Sequence, residues 1–157
     1  ERDFIQEATE WISTNSVLCS DYLYVRIALD PMVARLAAQN ATEEDIQDLH
    51  TIHQAFLEAV KRQDSEKLTR LDEEFHERIA QSTGNDLLVS LVRITSHSCR
   101  ILRQNSFCFE EHVNHAVSPH EKILQAIIDR KPERAAQASI DHMVRAFEDL
   151  CGCKPQL

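Results

Sequence analysis

The sequence predicts an all-α fold, an antiparallel bundle of six to seven helices, and three observations support this prediction. Turn-forming residues are scarce, since the 157-residue chain contains only 2 glycines and 4 prolines, whereas all-β folds use both residues in their many turns. Apolar residues recur with helical spacing along almost the whole chain. The segments between these periodic stretches are short, as is typical of helix bundles.

The first half of the chain predicts three helices. Residues 3–13 form a short amphipathic candidate, and residues 20–39 form a second helix that is apolar nearly all round and therefore buried. Pro31 is expected to kink this second helix or to start a new turn within it. Thr42 is followed by three acidic residues, which predicts an N-cap with a favourable charge at the start of the third helix.

The fourth and fifth helices are separated by one of the two glycines. Asp64 or Ser65 is the predicted N-cap of the fourth helix, which runs to about Ser82. The pair Gly84-Asn85 then gives a C-terminal stop. A fifth helix is predicted over residues 86–105.

The last third of the chain begins with a predicted loop over residues 106–117. Ser118 opens a capping box with a proline immediately after it, which predicts that the sixth helix starts there and ends near Arg130. Pro132 then starts a seventh helix that runs to about Leu150.

Composition and charge exclude several classes of function. Isolated glycines rule out phosphate-binding loops, which need clustered glycines. The chain has 17 basic and 26 acidic residues, a formal net charge of -9, and no Lys/Arg-rich block, so it is not expected to hold nucleic acid by itself. The length suits one domain. The 5 dispersed cysteines, with no signal peptide and no apolar run long enough to span a membrane, indicate reduced thiols in a cytoplasmic protein.

Two polar residues lie on the core face of the fourth helix. Asp72 and His76 are four residues apart, so they share one face, and that face also carries Phe75 and Ile79. A buried carboxylate is costly unless something compensates it, and a metal ion would do so. An Asp–His hydrogen bond, or a half-exposed edge, remains the alternative.

Two more histidines fall on apolar faces. His120 lies in the arc of the apolar residues of the sixth helix, and His142 lies among the alanines of the seventh. Each could be a satisfied core histidine. Together with Asp72 and His76 they form a set of three nitrogens and one oxygen, which suits a divalent ion such as zinc, nickel, iron or manganese.

The other histidines give weaker signals. His50 and His53, and likewise His112 and His115, are three residues apart, so each pair could bind a metal. His53 also lies in an apolar stripe and could belong to the core. His97 is predicted to be an ordinary residue of a helix surface.

Arginines matter if the ligand is an anion, because a guanidinium can bind a carboxylate through two parallel hydrogen bonds. Arg26 lies four residues before Asp30, which also fits an internal ion pair. Arg93, Arg100 and Arg103 lie near one another on the predicted fifth helix, and a solvated basic edge is the default expectation for all three.

Three segments, taken in order, resemble the FadR C-terminal ligand-binding domain of GntR-superfamily bacterial transcription regulators. The segments of this chain that resemble the start of that domain are Arg26-Ile-Ala-Leu29-Asp30, Leu36-Ala37-Ala38 and Ala41-Thr42-Glu43-Glu44-Asp45. The central signature resembles Asp72-x-x-Phe75-His76-x-x-Ile79-Ala80-x-Ser82-x-Gly84-Asn85. The closing pattern resembles His120-x-x-Ile123-Leu124-x-Ala126-Ile127, with Ala135 and His142. The family usually has Glu where this chain has Asp30, and the extra N-terminal helix resembles the seven-helix branch.

The resemblance implies specific roles. Asp72, His76, His120 and His142 take the metal-ligand positions, with zinc or nickel favoured, and Arg26 and Arg100 match positions that hold an effector's carboxylate. Residues 1–157 would form an effector-binding and dimerisation domain of a homodimer. DNA would be contacted only through an N-terminal winged helix-turn-helix domain that lies outside this chain.

The predicted function is therefore the sensing of a small carboxylate, hydroxy acid or sugar acid without turnover. Two alternatives remain open at this point. One is a metal-dependent enzyme that acts on a small acid, which would need a general base beside the metal. The other is a purely structural dimerisation bundle whose buried polar groups satisfy one another.

Overall fold

A computed structural model describes residues 6–7, 10–11 and 18–157 of the chain. This part contains seven helices and no strand, which confirms the all-α prediction. In chain order they are α1 (Cys19–Asn40), α2 (Glu43–Arg62), α3 (Ser65–Gln81), α4 (Asp86–Ser98), α5 (Arg100–Ser106), α6 (Glu110–Ile128) and α7 (Pro132–Cys151). The helix predicted over residues 3–13 lies largely outside the described residues.

The helices enclose one main core. α1 and α6 both pack against α7 and also contact each other, and α3 packs against α2 and α4. Buried residues from six of the helices meet in this core, among them Ala37, Leu49, Phe75, Val92, Ile127 and Ala135. A side chain on the inner face of α3, α6 or α7 therefore faces the centre of the bundle.

Most helix ends follow the predicted capping residues. The Thr42 side chain accepts a hydrogen bond from the backbone N–H of Asp45, whose carboxylate accepts one from the N–H of Thr42 in return. Asp64 caps α3, and the Asn85 side chain accepts two backbone N–H groups at the start of α4. Gly84 has a φ of 72°, a left-handed conformation that suits glycine.

The predicted fifth helix is divided in two. α4 ends at Ser98 and α5 begins at Arg100, with Cys99 between them at φ -96° and ψ 5°. Cys99 is buried, so the break lies inside the protein rather than in a surface loop. Arg100 and Arg103 therefore belong to α5, whereas Arg93 belongs to α4.

The predicted loop over residues 106–117 is wrong, and so is the predicted helix start at Ser118. α6 begins at Glu110 and contains Pro119 in its interior. Val113 and Ala116 are buried in a second apolar cluster with Phe56, so they extend the apolar stripe of α6 towards its N-terminus. Burial of this stripe outweighs the proline's preference for a first helical turn.

Three further observations complete the fold. Pro31 lies inside α1, which is one unbroken helix through that position. All five cysteines are free thiols. No helix in the described part of the chain is long and apolar enough to cross a membrane.

Candidate metal and ligand site

Four buried polar residues from three helices meet at the centre of the bundle. α3 contributes Asp72 and His76, α6 contributes His120 and α7 contributes His142. Each offers one ligand atom, and these four atoms all lie within 4.8 Å of one another. We call these four residues the Asp/His group. The sequence predicted these four residues as one set, and the fold brings their ligand atoms together.

The imidazole nitrogens point towards one another and towards the carboxylate. His76 Nε2 lies 3.2 Å from His142 Nε2, and His120 Nε2 lies 3.2 Å from Asp72 Oδ1. His76 Nε2 is 3.9 Å from the same oxygen. Because Zn–N bonds are about 2.0–2.1 Å long, two ligands of one ion lie roughly 3–4 Å apart, and the observed separations fit that spacing.

Burying the polar atoms of this group costs free energy unless those atoms have a partner. His120 is fully buried, and neither of its ring nitrogens has a hydrogen-bond partner of good geometry. Nδ1 of His142 is also buried without one. Such orphaned atoms are uncommon in folded proteins and call for an explanation such as an ion.

The charge states of the group suit cation binding. Burial lowers the pKa of His76 and of His142 well below the usual range, and the guanidinium of Arg26 adds to both effects. Burial alone would raise the pKa of Asp72, but the positive charge of Arg103 and the neighbouring imidazoles of His76 and His120 hold it well below its ordinary value. Neutral imidazoles and a carboxylate are the forms that bind metal ions.

Arg26 forms the predicted internal ion pair. Its Nη2 lies 2.7 Å from Asp30 Oδ2, and both side chains are buried. The same oxygen lies 3.8 Å from His76 Nδ1. Asp30 therefore pairs with Arg26 and lies near the ring edge of His76 that faces away from His142.

Arg103 is the functional residue that the sequence interpretation missed. It was expected on a solvated edge, but it is only 5% exposed, and its Nε lies 2.9 Å from Asp72 Oδ2. Arg100 and Arg93 do lie at the edge, where they pair with Glu73 and Glu77. The sequence did contain one signal for the burial of Arg103. Arg103 lies at helical spacing from the small residues at the end of α4 and from Cys99 at the break, and these residues are buried.

A narrow cavity of about 40 Å³ adjoins the Asp/His group. Arg26, Asp72, Arg103 and His142 line its inner end, and apolar side chains of α1 and α7 line its flanks. Arg100 is not among the lining residues. Of the two arginines that were predicted to bind an effector, Arg26 lines the cavity, whereas Arg100 lies outside it and pairs with Glu73.

The weaker histidine candidates lie outside the Asp/His group. His50 and His97 are exposed, and His53 is buried with its ring centroid 6.5 Å from that of His120. His112 and His115 line the outer part of the cavity, where His115 contacts Asp149. Among the described residues, the Asp/His group is the one group whose ligand atoms converge closely enough for a metal ion.

Comparison with known proteins now places this site in a family. The model of the FCD domain matches residues 21–145, which include all four members of the Asp/His group. The chain belongs to the FCD family. FCD domains are regulatory domains of GntR-type transcription regulators, so the predicted resemblance is confirmed.

Two curated relatives carry regulatory names. The galactonate operon transcriptional repressor of Escherichia coli (strain K12) is 25% identical over 138 residues, which is 85% of this chain and 59% of the relative. The Nta operon transcriptional regulator of Aminobacter aminovorans is 28% identical over 130 residues, which is 83% of this chain and 60% of the relative. Both are transcription regulators rather than enzymes.

A solved structure agrees with this assignment. The structure described as Streptococcus agalactiae GntR is similar at a TM-score of 0.69 and 26% identity, with 82% of this chain and 57% of that chain covered. The chain thus spans less than two thirds of the length of each of these relatives.

Proposed function

We propose that this chain is the effector-sensing, metal-containing domain of a GntR-type transcriptional regulator. The observation that carries the proposal is the convergence of one carboxylate and three buried imidazoles in the core, beside a cavity with two buried arginines. A purely structural bundle would gain stability from apolar residues at these positions. The polar group therefore fits a bound ion better than a structural role.

Asp72, His76, His120 and His142 would hold a divalent metal ion. A set of three nitrogens and one oxygen suits zinc or nickel, and iron or manganese could also be bound. A bound divalent ion supplies a Lewis-acidic attachment point for a carboxylate. Because four protein ligands leave positions open in five- or six-coordinate geometry, a ligand that enters the cavity could reach the ion.

The effector would be a small carboxylate, a hydroxy acid or a sugar acid. Arg26 lines the inner end of the cavity and can neutralise the carboxylate there, and Arg103 lies beside it. Arg100 was predicted to share this role, and it can do so if its half-exposed side chain leaves Glu73 and turns inward. The named galactonate operon repressor is consistent with an acid of this kind.

The domain would act as a homodimer whose DNA-binding domains lie outside this chain. Val25 and Met32 are exposed large apolar residues, and their spacing of seven residues places them along one side of α1. Leu18, which is also exposed, lies at the N-cap of the same helix. Such a stripe fits contact with a second copy. The net charge of -9 fits a sensor that leaves DNA contact in the cytoplasm to a separate basic domain.

Ligand binding would act by shifting a conformational equilibrium. A carboxylate that draws Arg26 and Arg103 towards it changes their contacts with Asp30 and Asp72. The Arg103–Asp72 contact connects α5 to α3, and the Arg26–Asp30 contact lies within α1, next to His76 of α3. The ligand can favour one packing of these helices only by the difference in its affinity for the two states. The favoured packing of the helices would then change the dimer, and through it the position of the DNA-binding domains.

Calorimetric titration of zinc into the chelator-treated domain tests the site. We expect one equivalent to bind to the unmodified domain, and a loss of at least 100-fold in affinity in the His120→Ala, His142→Ala double variant. The matched control is His50→Ala with His97→Ala, two exposed histidines whose replacement should leave binding unchanged. Equal zinc affinity in the two double variants would refute the assignment.

A second measurement tests the sensing role. L-lactate should raise the melting temperature of the zinc-loaded domain but not of the chelator-treated domain. Turnover of the acid would instead favour the metal-dependent enzyme, and the absence of any zinc-dependent effect of small acids would favour the structural bundle.

A further inference from the structure

Three cysteines that lie far apart in the sequence meet at one end of the bundle. Cys19 is the first residue of α1, Cys99 separates α4 from α5, and Cys151 is the last residue of α7. α1 packs against α7 and also contacts α4, and the thiol of Cys19 interacts with the thiols of both other residues. We call these three residues the thiol cluster. The other two cysteines, Cys108 and Cys153, are exposed.

The three thiols of the cluster differ in their access to solvent. Cys99 is only 1% exposed, whereas Cys19 and Cys151 are half-buried. The latter two pack against a third apolar cluster, which consists of Leu23, Ile27, Met143 and Phe147. Cys19 is therefore both the centre of the thiol cluster and its connection to solvent.

A metal site is the first alternative for such a cluster, because thiolates are good ligands for zinc and for copper(I). Among the described residues, however, the Asp/His group is the one set of three or more whose ligand atoms all lie within 4.8 Å of one another. The three sulfurs do not converge in that way. The arrangement therefore favours chemistry between two sulfurs over coordination of an ion.

Cys19 and Cys99 form the reactive pair of the cluster. A hydrogen bond from the Cys19 thiol lowers the pKa of Cys99 to about 7, although burial opposes this effect. The positive charges of Arg103 and Arg26 act in the same direction as the hydrogen bond. In contrast, burial raises the pKa of Cys151. The pair thus combines a thiolate, which is the nucleophilic form of cysteine, with a neighbouring thiol.

We propose that Cys19 and Cys99 are a peroxide-sensitive pair that closes into a reversible disulfide. The thiolate attacks one oxygen of hydrogen peroxide, the O–O bond breaks, and the hydroxide that leaves takes up a proton to form water. The second sulfur then attacks the resulting sulfenic acid, an S–S bond forms, and the S–O bond breaks with release of a second water. The two cysteines lose two electrons in total, and these reduce the peroxide.

The disulfide would connect α1 to the helix that carries Arg103. The backbone N–H of Arg103 donates to the carbonyl oxygen of Cys99 at 2.9 Å, and its side chain pairs with Asp72 of α3. A covalent bond between Cys19 and Cys99 therefore restricts the movement of α5 relative to α1. The reaction needs no metal ion, so this inference goes beyond the proposed function and does not depend on it.

Peptide mapping of the chelator-treated domain after exposure to hydrogen peroxide tests the pairing. Unreacted thiols are blocked with N-ethylmaleimide, and the digest is analysed by mass spectrometry without reduction. We expect peptides joined through Cys19 and Cys99, the loss of two of the 5 thiols, and full recovery of both in dithiothreitol. A main product joined through Cys151, a disulfide between molecules through Cys108 or Cys153, or the absence of any disulfide would overturn the proposal.

Cys19→Ser tests whether the reaction needs the pair. This half-buried position should tolerate serine, which circular dichroism and the melting temperature check, and the variant should form no disulfide within the molecule. The matched control is Cys108→Ser, which removes an exposed thiol outside the cluster and should form the disulfide at the unmodified rate. Cys151→Ser should also retain it. An intramolecular disulfide formed at the unmodified rate in Cys19→Ser would refute the pair.

Urea unfolding shows whether the folded chain holds the two sulfurs in bonding geometry. A cross-link between residues far apart in the sequence restricts the unfolded chain, so oxidation should raise the urea midpoint, and dithiothreitol should reverse the rise. Oxidised Cys108→Ser should show the same rise, and peroxide-treated Cys19→Ser should show none. An unchanged or lower midpoint after oxidation would mean that the disulfide forms only by distorting the fold, which contradicts a built-in pair.

Discussion

Arg103 shows how strongly one buried side chain can define this site. Its guanidinium lies 2.9 Å from Asp72 Oδ2, and both side chains are almost completely buried. Removal of one member of a buried ion pair leaves an uncompensated charge, which costs about 3–5 kcal/mol. A divalent ion on the Asp/His group would neutralise the same carboxylate, so the cost should depend on metal.

Arg103→Met should therefore destabilise the chelator-treated domain by about 3 kcal/mol and the zinc-saturated domain by clearly less. Urea unfolding in the two conditions measures both values. The control is Arg100→Met, which removes a half-exposed charge paired with Glu73 and should change the unfolding free energy by about 0.5 kcal/mol or less. An equal loss of unfolding free energy with and without zinc would show that Arg103 and the ion do not both neutralise the carboxylate of Asp72.

The sequence predicted more of the Asp/His group than of its surroundings. Asp72 and His76 could be placed on one face by their spacing alone, and His120 and His142 by the apolar residues around them. Arg103 was placed at a solvated edge instead, because its helical spacing from the buried small residues crosses the break at Cys99, which the sequence does not display. The sequence did show His112 and His115 as a pair, but the partner of His115, Asp149, is 34 residues away.

At the scale of the helices, α6 is where local sequence signals and tertiary packing disagree most. Ser118 and the proline after it are typical of a helix start, yet α6 begins at Glu110. A proline in a helix interior cannot donate to the carbonyl four residues earlier, here that of His115. Burial of Val113 and Ala116 in the second apolar cluster provides the compensating stability.

The substitution Pro119→Ala distinguishes a continuous helix that begins at Glu110 from a helix that begins at Ser118. If the helix is continuous, alanine restores the missing hydrogen bond, and the unfolding free energy should rise by about 1–3 kcal/mol. Pro132 lies at the first position of α7, where proline is favourable, so Pro132→Ala should be neutral or slightly destabilising. Similar small effects of both substitutions would mean that a helix starts at Ser118 after all.

The other helix boundaries were predicted well because their causes are local. Thr42, Asp64 and Asn85 cap helices through their own side chains, and Gly84 adopts a left-handed conformation. The break between α4 and α5 has no such local cause, since Cys99 is neither a glycine nor a proline. It is buried among α1 and α5, so it follows from packing that a single sequence does not display.

At the scale of the whole molecule, the domain keeps ionisable groups in its core that must stay neutral or paired. His76 and His142 have pKa values well below the ordinary range because burial disfavours the imidazolium form. The nearby Arg26 adds to this effect, while Asp72 opposes it. The folded chain thus binds fewer protons near pH 6 than the unfolded chain does, and its stability must depend on pH.

The direction of that dependence follows from proton counting. An unfolded histidine takes up a proton below pH 6.5, about its ordinary pKa, whereas folded His76 and His142 do not. Acidification of the chelator-treated domain from pH 7.5 to pH 6 should therefore lower the unfolding free energy by about 1–2 kcal/mol for the two histidines together. Burial raises the pKa of Asp30 and of Glu73, which works in the opposite direction.

Urea unfolding of the chelator-treated domain at a series of pH values between 6 and 7.5 measures this slope. His142→Gln should reduce the slope to about half, because one of the two contributing imidazoles is then absent. His50→Ala should leave it unchanged, since that side chain is exposed. A stability that stays constant or rises on acidification would show instead that the folded core accepts the protons, with Asp30 and Asp72 stabilising the imidazolium form.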